Sequence, residues 1–390
     1  MATAARFIDI HVLQSVPLAN LNRDDTNSVK TVQYGNTLRT RVSSQSWKRA
    51  LRGSFEEHIG EAALRTRRIG ERVTRLLAEQ HDWPQDLAER AGAHVAAASS
   101  IKFELAKEGK ETVDNKVLTN AMVYVPESAV AELANLAQEH RTALEAAKDI
   151  KKPSDKSVLP KDQVEKILRT RNAVINLFGR MLAEVDDAGV DGAVQVAHAL
   201  TTHETDVELD YFSAVDDVTA RWKDSAGSGH MGHTEFSAGT FYRYATLDLR
   251  DLTRNTAAGN NTLRELSHAF LRAFILSLPQ AKKNSTAAHT IPDLVHLSVR
   301  TDRPLSYAAA FESPVTSAHE GGYAAPSRQA LADYARAANT MLGTSSILTS
   351  GWTSLETKDL DGLGTRHDAF DDLITTALDT ALAATPEATA

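Results

Sequence analysis

A strand-like opening followed by a polar segment too long for a simple connection constrains this chain more than any other feature. Residues 6–13 (RFIDIHVL) are rich in Phe, Ile and Val and read as a first strand, interrupted by Asp9 and His11. The following residues, 14–38, are mostly polar, and a loop of that length without structure of its own implies function. A helix comes next, with Ser43 or Ser44 as its N-cap. Trp47, Ala50, Leu51, Ser54 and Phe55 fall on one face of it, and Lys48, Arg49 and Arg52 flank that face. Further along, 239–249, 293–300 and 305–312 read as strands, and 261–278, 327–342 and 367–384 as helices. The partial β-α-β-β-α-β alternation predicts an α+β fold, a ferredoxin-like or RRM-like sheet with two insertions.

The first insertion, from about Ile59 to Gly179, is rich in Ala, Glu and Arg and reads as helical apart from one strand at 117–125 (VLTNAMVYV). It carries a lysine loop, KDIKKPSDKSVLPK at 148–161, whose two prolines and two serines argue against regular structure and for a mobile basic loop. The second, 203–238, is acidic and then glycine-rich around Gly227, and has too few core-like residues to fold by itself. It reads as a projecting arm.

Charge is sharply segregated. The formal net charge is −8, yet Asn20–Gly53 holds seven cations (Arg23, Lys30, Arg39, Arg41, Lys48, Arg49, Arg52) against Asp24 and Asp25, a local +5. Asn20, Asn22, Ser43, Ser44, Gln45 and Ser46 are interleaved with them. Cations supply affinity for a phosphodiester backbone, and short amides and hydroxyls supply register. A solvated loop and a basic helix face remain the plain alternative. Residues 148–171 hold eight cations and four anions, whereas 200–217 hold six acids and no Lys or Arg. Screening confines each patch to roughly 8 Å at physiological salt, so a positive groove can operate on an acidic protein.

Other chemistries find little support. The chain has no cysteine, which excludes disulfides, thiolate metal sites and cysteine nucleophiles. Asp24-Asp25, Asp186-Asp187, Asp216-Asp217 and Asp371-Asp372 are carboxylate pairs of the kind a metal-dependent nuclease needs, but surface and capping roles are commoner. His230-Met231-Gly232-His233 and His203-Glu204 fit no specific ligand spacing, and no Walker A or G-x-G-x-x-G string occurs. No apolar run approaches the roughly 18 residues of a membrane span, and no leader-like start is present, so a soluble cytoplasmic protein without cofactor is expected. A guide-processing endoribonuclease on a related fold stays open, with His11 or His203 as its acid–base candidates.

Six motifs in order carry a resemblance: LNRDD (21–25), RVSSQSWKRALR (41–52), GRM (179–181), AHALTTH (197–203), DYFSAVDD (210–217) and EFSAGTFYRYA (235–245). Together they resemble the CasC family, the repeating backbone subunit of the type I-E CRISPR Cascade complex. The likeness is mostly architectural beyond Leu249. It implies an RRM-like palm (1–58, 181–202 and 239–390, the last with C-terminal helices), a helical fingers insertion (59–180) and a β-hairpin thumb (203–238). It further implies a non-catalytic subunit that oligomerises along CRISPR RNA, grips its backbone, flips out bases periodically and displays the guide to target DNA. The implied partners are CRISPR RNA, target DNA, further copies of the chain and other Cascade subunits, with no metal.

Matched motif by motif, Arg23, Lys30, Ser43, Gln45 and Lys48 resemble guide-backbone contacts, with Asn22, Arg41, Arg49 and Arg52 beside them. Met181 resembles the wedge beside a displaced base, and Tyr211, Phe212 and Ser213 sit where the thumb packs on RNA. Tyr211 keeps a stacking face where relatives often have Trp, and Thr37 stands where the family has a cation. Lys148, Lys151, Lys152, Lys156 and Lys161 occupy the fingers region that touches incoming duplex DNA in this family. No RNP1 string is present, so the sheet face is not expected to stack bases as in an ordinary RRM.

Overall fold

The computed structural model describes residues 4–108, 111–215 and 228–383. Two compact units result, one from residues 1–55, 194–253 and 258–390, the other from 56–193 and 254–257. Asp216, Asp217 and Gly227 lie outside the described residues.

The chain begins with β1 (Phe7–Ala19), β2 (Thr31–Tyr34), β3 (Thr37–Val42) and α1 (Ser44–Ile59). Next come β4 (Ala63–Thr66), α2 (Ile69–Gln80), α3 (Gln85–Ala98), β5 (Phe103–Glu108), β6 (Glu111–Thr119) and β7 (Val123–Pro126). The helices α4 (Ser128–Glu139), α5 (Arg141–Glu145), α6 (Lys161–Leu168) and α7 (Ala173–Phe178) follow. Then β8 (Val194–Val196), β9 (Ala199–Thr201), β10 (Glu208–Val215) and β11 (Ser228–Asp248) return to the first unit. It closes with α8 (Leu249–Thr256), α9 (Asn260–Leu276), α10 (Lys283–Thr286), β12 (Leu294–Arg300), α11 (Ala324–Leu342), β13 (Ile347–Ser354), β14 (Thr365–Arg366) and α12 (Phe370–Ala383).

In β1, Phe7, Asp9, His11 and Leu13 face one way and Ile8, Ile10 and Val12 the other, and all are buried. Such a strand needs a neighbour on each edge and a layer on each face. β11 and β12 flank it, both antiparallel, and the register with β11 shifts between Val16 and Ala19, where Pro17 lacks a donor. The polar segment at 14–38 is therefore not one long connection. It contains the end of β1 and the β2–β3 hairpin, turned by Gly35 and Asn36 with φ of 59° and 61°. Two successive left-handed residues suit the twist of a two-residue hairpin.

The strands β12, β1, β11 and β9 lie side by side, each antiparallel to the next. With the chain order β1–α1–β8/β9–β11–α9–β12, this is a ferredoxin-like arrangement. Its fourth strand is not the 305–312 segment expected from the sequence. That segment holds only a 3-10 turn, Ala308–Phe311, because side chains satisfy its backbone. Asp9 accepts from Leu305 N–H at 3.0 Å, Tyr242 from Tyr307 N–H at 2.9 Å, and Arg39 donates to the Phe311 and Glu312 carbonyls. The strands of this sheet missed in the sequence were β2, β3, β13, β14 and the three-residue β8 and β9.

Helices α1 and α9 cover one face of the sheet. The Arg243 guanidinium lies 3.9 Å from the Trp47 ring centroid and donates to the Phe274 and Ile275 carbonyls. The opposite face, open in an RNA-stacking RRM, is roofed by α11 and the 3-10 turn. Tyr242, Tyr244, Tyr307, Phe311, Leu331, Ala335 and Trp352 form one buried cluster there.

The second unit buries Ile69, Val73, Leu77, Ala88, Leu133, Val164 and Leu168 among α2, α3, α4 and α6. It is not purely helical, since β4 pairs β7 and β5 pairs β6. The strand expected at 117–125 is the end of β6 and most of β7, which pair different partners.

Candidate nucleic-acid interface

In the first unit, backbone geometry gathers the basic segment around the start of α1. Asn22 Oδ1 accepts the Ser43 N–H at 2.8 Å, and the Asn22 carbonyl accepts the Lys30 N–H at 3.3 Å. The Lys30 carbonyl in turn accepts the Arg41 N–H at 2.8 Å. Ser43 is the N-cap, its Oγ accepting from Ser46 N–H at 3.3 Å, as expected of Ser before an amphipathic run. Asp24 folds the loop that presents Arg23, accepting from the Thr26 and Ser28 amides at 2.9 Å each. The Thr26 hydroxyl above all holds that carboxylate below its ordinary range. Arg23 donates to Asn27 Oδ1 at 2.9 Å and remains exposed. Glu235 on β11 ties the loop down, accepting from Asn20 Nδ2 through its carbonyl and from Val29 N–H through its carboxylate, both at 2.9 Å.

Two further residues complete this cluster, and the resemblance had already implied a structural or RNA-proximal role for the first. His198, between β8 and β9, takes the Ser44 N–H at 3.2 Å on Nδ1 and has Arg41 Nη1 at 3.3 Å. Burial first, then Arg41 and Lys30, lowers its pKa, so it is a neutral acceptor wedged among cations. The one sequence signal for it was its place in the AHALTTH string. Arg39, by contrast, is fully buried and donates to Thr37 Oγ1, Thr201 O, Phe311 O and Glu312 O. It is structural, and the surface charge of the segment falls accordingly from +5 to +4. Gln45 and Arg49 are exposed on α1, Arg52 is half-buried, and Lys48 is half-buried with burial lowering its ammonium pKa.

On the β10–β11 hairpin, Tyr211 pairs with His233 and Phe212 with Gly232. Successive strand residues face opposite ways, so Tyr211 and Phe212 cannot work as a pair on one base. Tyr211 shares its face with Leu209, Ser213 and Met231, and its hydroxyl lies 2.9 Å from Met231 Sδ. Phe212 lies across Gly232, where an added Cβ would come within 2.7 Å of the ring.

In the second unit, Met181 is 92% exposed on a rigid base. Arg180 beside it is buried and donates to the Ala188, Tyr124, Thr170 and Arg169 carbonyls. The five candidate lysines are all exposed. Lys151 pairs with Asp114 at 2.9 Å and Lys161 with Glu165 at 3.6 Å, while Lys148, Lys152 and Lys156 have no ion pair among the described residues. The loop is irregular, as expected, but tied rather than loose: Asp155 accepts the Lys151 and Lys152 amides at 2.9 and 3.1 Å.

The histidines named as acid–base candidates are committed elsewhere. His11 is buried, stacked on Tyr307 at 4.1 Å, with Nδ1 2.9 Å from the Tyr242 hydroxyl. His203 is buried, stacked on Tyr323 at 3.5 Å, donating to the Glu204 carbonyl and accepting from Thr240 N–H. Among the described residues no helix is long and apolar enough to cross a membrane.

The CT1975-like protein family profile matches residues 8–376. The chain belongs to this family of Cas proteins. Two solved structures are similar to it along nearly their whole length. One, a chain of a "CRISPR RNA-guided surveillance complex, pre-nicking", is 44% identical with a TM-score of 0.87, covering 96% of this chain and 100% of that one. The other, from a "CRISPR RNA-guided surveillance complex", is 39% identical with a TM-score of 0.78 and the same coverage. No curated protein sequence matches.

Proposed function

We propose that the protein is a CasC-like, non-catalytic backbone subunit of a type I-E CRISPR RNA-guided surveillance complex. Copies of it line up along CRISPR RNA, grip the phosphates, and display the guide in segments for pairing with target DNA. Family membership and the two surveillance-complex neighbours support the coarser reading, a component of a CRISPR complex. The observation that carries the finer one is the convergence of Asn22, Lys30, Arg41 and Ser43 at the start of α1. There cations and neutral donors stand together on a sheet whose usual base-stacking face is buried. Backbone grip without base readout is what a scaffold for any guide sequence requires. In this reading Arg23, Gln45, Lys48, Arg49 and Arg52 extend the grip, Met181 and the hairpin aromatics displace bases, and the lysine loop meets duplex DNA. The cytoplasm, other Cascade subunits and neighbouring copies form its setting. The alternative processing nuclease loses support because both nominated histidines are buried.

The test mixes purified protein with labelled CRISPR RNAs of increasing spacer length, following mass and RNA integrity together. Bound protein should climb in integer steps with length while the RNA stays whole. One copy bound at every length, with cleavage, would sink the scaffold reading and favour the nuclease.

A further inference from the structure

A groove of about 1000 Å³ in the second unit is lined by Lys148, Lys151, Lys152 and Lys156, and His94 on α3 forms part of its wall. His94 is 1% exposed, and both ring nitrogens are occupied by the loop that carries those lysines. Nε2 lies 3.0 Å from the Lys148 carbonyl, and Nδ1 lies 3.1 Å from the Val158 backbone nitrogen. A carbonyl only accepts and an amide only donates, so the imidazole is held in one tautomer, protonated at Nε2 and bare at Nδ1. One buried ring thus closes the loop where it leaves α5 and again before it enters α6. Between the two clamp points Asp155 accepts two loop amides, and Asn115 Oδ1 accepts the Ile150 N–H at 2.9 Å. Asn115 Nδ2 and Arg90 Nε both donate to Asp149 Oδ1, at 3.0 and 2.8 Å. This much buried and local bonding is spent on a segment with no regular structure and a row of outward lysines.

We infer that His94 is a positioning residue: it clamps the 148–158 loop so that Lys148, Lys152 and Lys156 present one pre-formed groove to the phosphodiester backbone of duplex DNA. The inference rests on the reading of this loop as a DNA contact. Lysine side chains on an unclamped loop would still attract phosphate, but each contact would also have to order the backbone beneath it. Clamping removes that cost before DNA arrives. His94 touches no DNA itself.

The experiment uses the full complex assembled on CRISPR RNA and measures its affinity for a duplex lacking a matching target, across a salt series. Four variants are compared: His94→Leu, His94→Gln, Val158→Pro and the double change Lys152→Ala with Lys156→Ala. The lysine double variant should lower the log K–log salt slope by about 1.8, two phosphates at about 0.9 each. His94→Leu removes both clamps, and Val158→Pro removes the donor at a residue 44% exposed, sparing the core. Each should lose affinity and slope in the same direction, with faster exchange of the loop amides. His94→Gln, whose amide both donates and accepts, should retain them. If His94→Leu and Val158→Pro keep the wild-type slope while the lysine variant loses it, the clamp is wrong. If the lysine variant also keeps it, the DNA-contact reading falls instead.

Discussion

At the scale of single residues, the interface separates arginines that look alike in the sequence. Arg39 and Arg49 lie in one basic stretch, yet one is buried against four acceptors and the other is exposed. Arg39→Met would strand the Thr201, Phe311 and Glu312 carbonyls, and leaving a buried acceptor unsatisfied costs about 1–3 kcal/mol. Urea unfolding should register that loss. Arg49→Ala should stay within about 0.5 kcal/mol of wild type while lowering the RNA salt slope by about 0.7, one single-strand phosphate contact. The same logic applies to GRM at 179–181. Met181→Ala should leave stability within about 0.5 kcal/mol because the side chain touches little. In 2-aminopurine-labelled guides it should dim the periodic fluorescence of displaced bases; an unchanged pattern would remove Met181 from the wedge role.

At the scale of elements, the β2–β3 hairpin and the β10–β11 hairpin carry the arguments. Gly35 turns the first with φ +59°, and a Cβ there would sit 1.6 Å from the Glu312 carbonyl oxygen. Gly35→Ala should therefore cost about 1–3 kcal/mol and weaken RNA binding, since Lys30 leads into β2 and Arg41 lies on β3. Measuring both by thermal shift and RNA titration checks whether the hairpin is a shared support. On the second hairpin, Tyr211 and Phe212 face opposite ways, so their alanine variants should act independently on RNA affinity. A double-mutant cycle with coupling above about 0.5 kcal/mol would contradict the two-faced geometry.

Element by element, the readable parts share one property: a period long enough to show. β12, α1, α9, α11 and α12 each present several turns or alternations, and their positions follow from the sequence within a few residues; β1 is legible at its start but runs on to Ala19, six residues past its expected end. β8 and β9 have three residues each, too few for any period. Residues 305–312 look like a strand but bond to Asp9, Arg39 and Tyr242 side chains, partners no local pattern encodes.

At the scale of the whole molecule, buried histidines set the acid limit. Burial is the leading cause that lowers His11, His94, His203 and His296, the last to about 4 from 6.5. The unfolded chain therefore binds protons below about 6.5 that the folded chain refuses, and stability falls as pH drops from 6.5 toward 4. The His296 shift alone corresponds to about 3 kcal/mol. Asp9 opposes this, since burial raises its carboxyl to about 6 and its protonation favours the fold between about 6 and 3.8. Four imidazoles against one carboxyl predict a net decline. Urea midpoints at pH 8, 6 and 4.5 should descend in that order, and a flat or rising series would refute the prediction.

What the sequence determined by itself was the set of amphipathic elements, the sign segregation, and the motif order that resembles one family. Those depend on neighbours along the chain or on residue type alone. Tertiary structure alone decided that Arg39 is buried while Arg49 is exposed, which strand completes the sheet, and that His94 matters. Each of those outcomes turns on a buried donor finding an acceptor far away in the chain. An unpaired polar group costs enough that such long-range pairings override local preference.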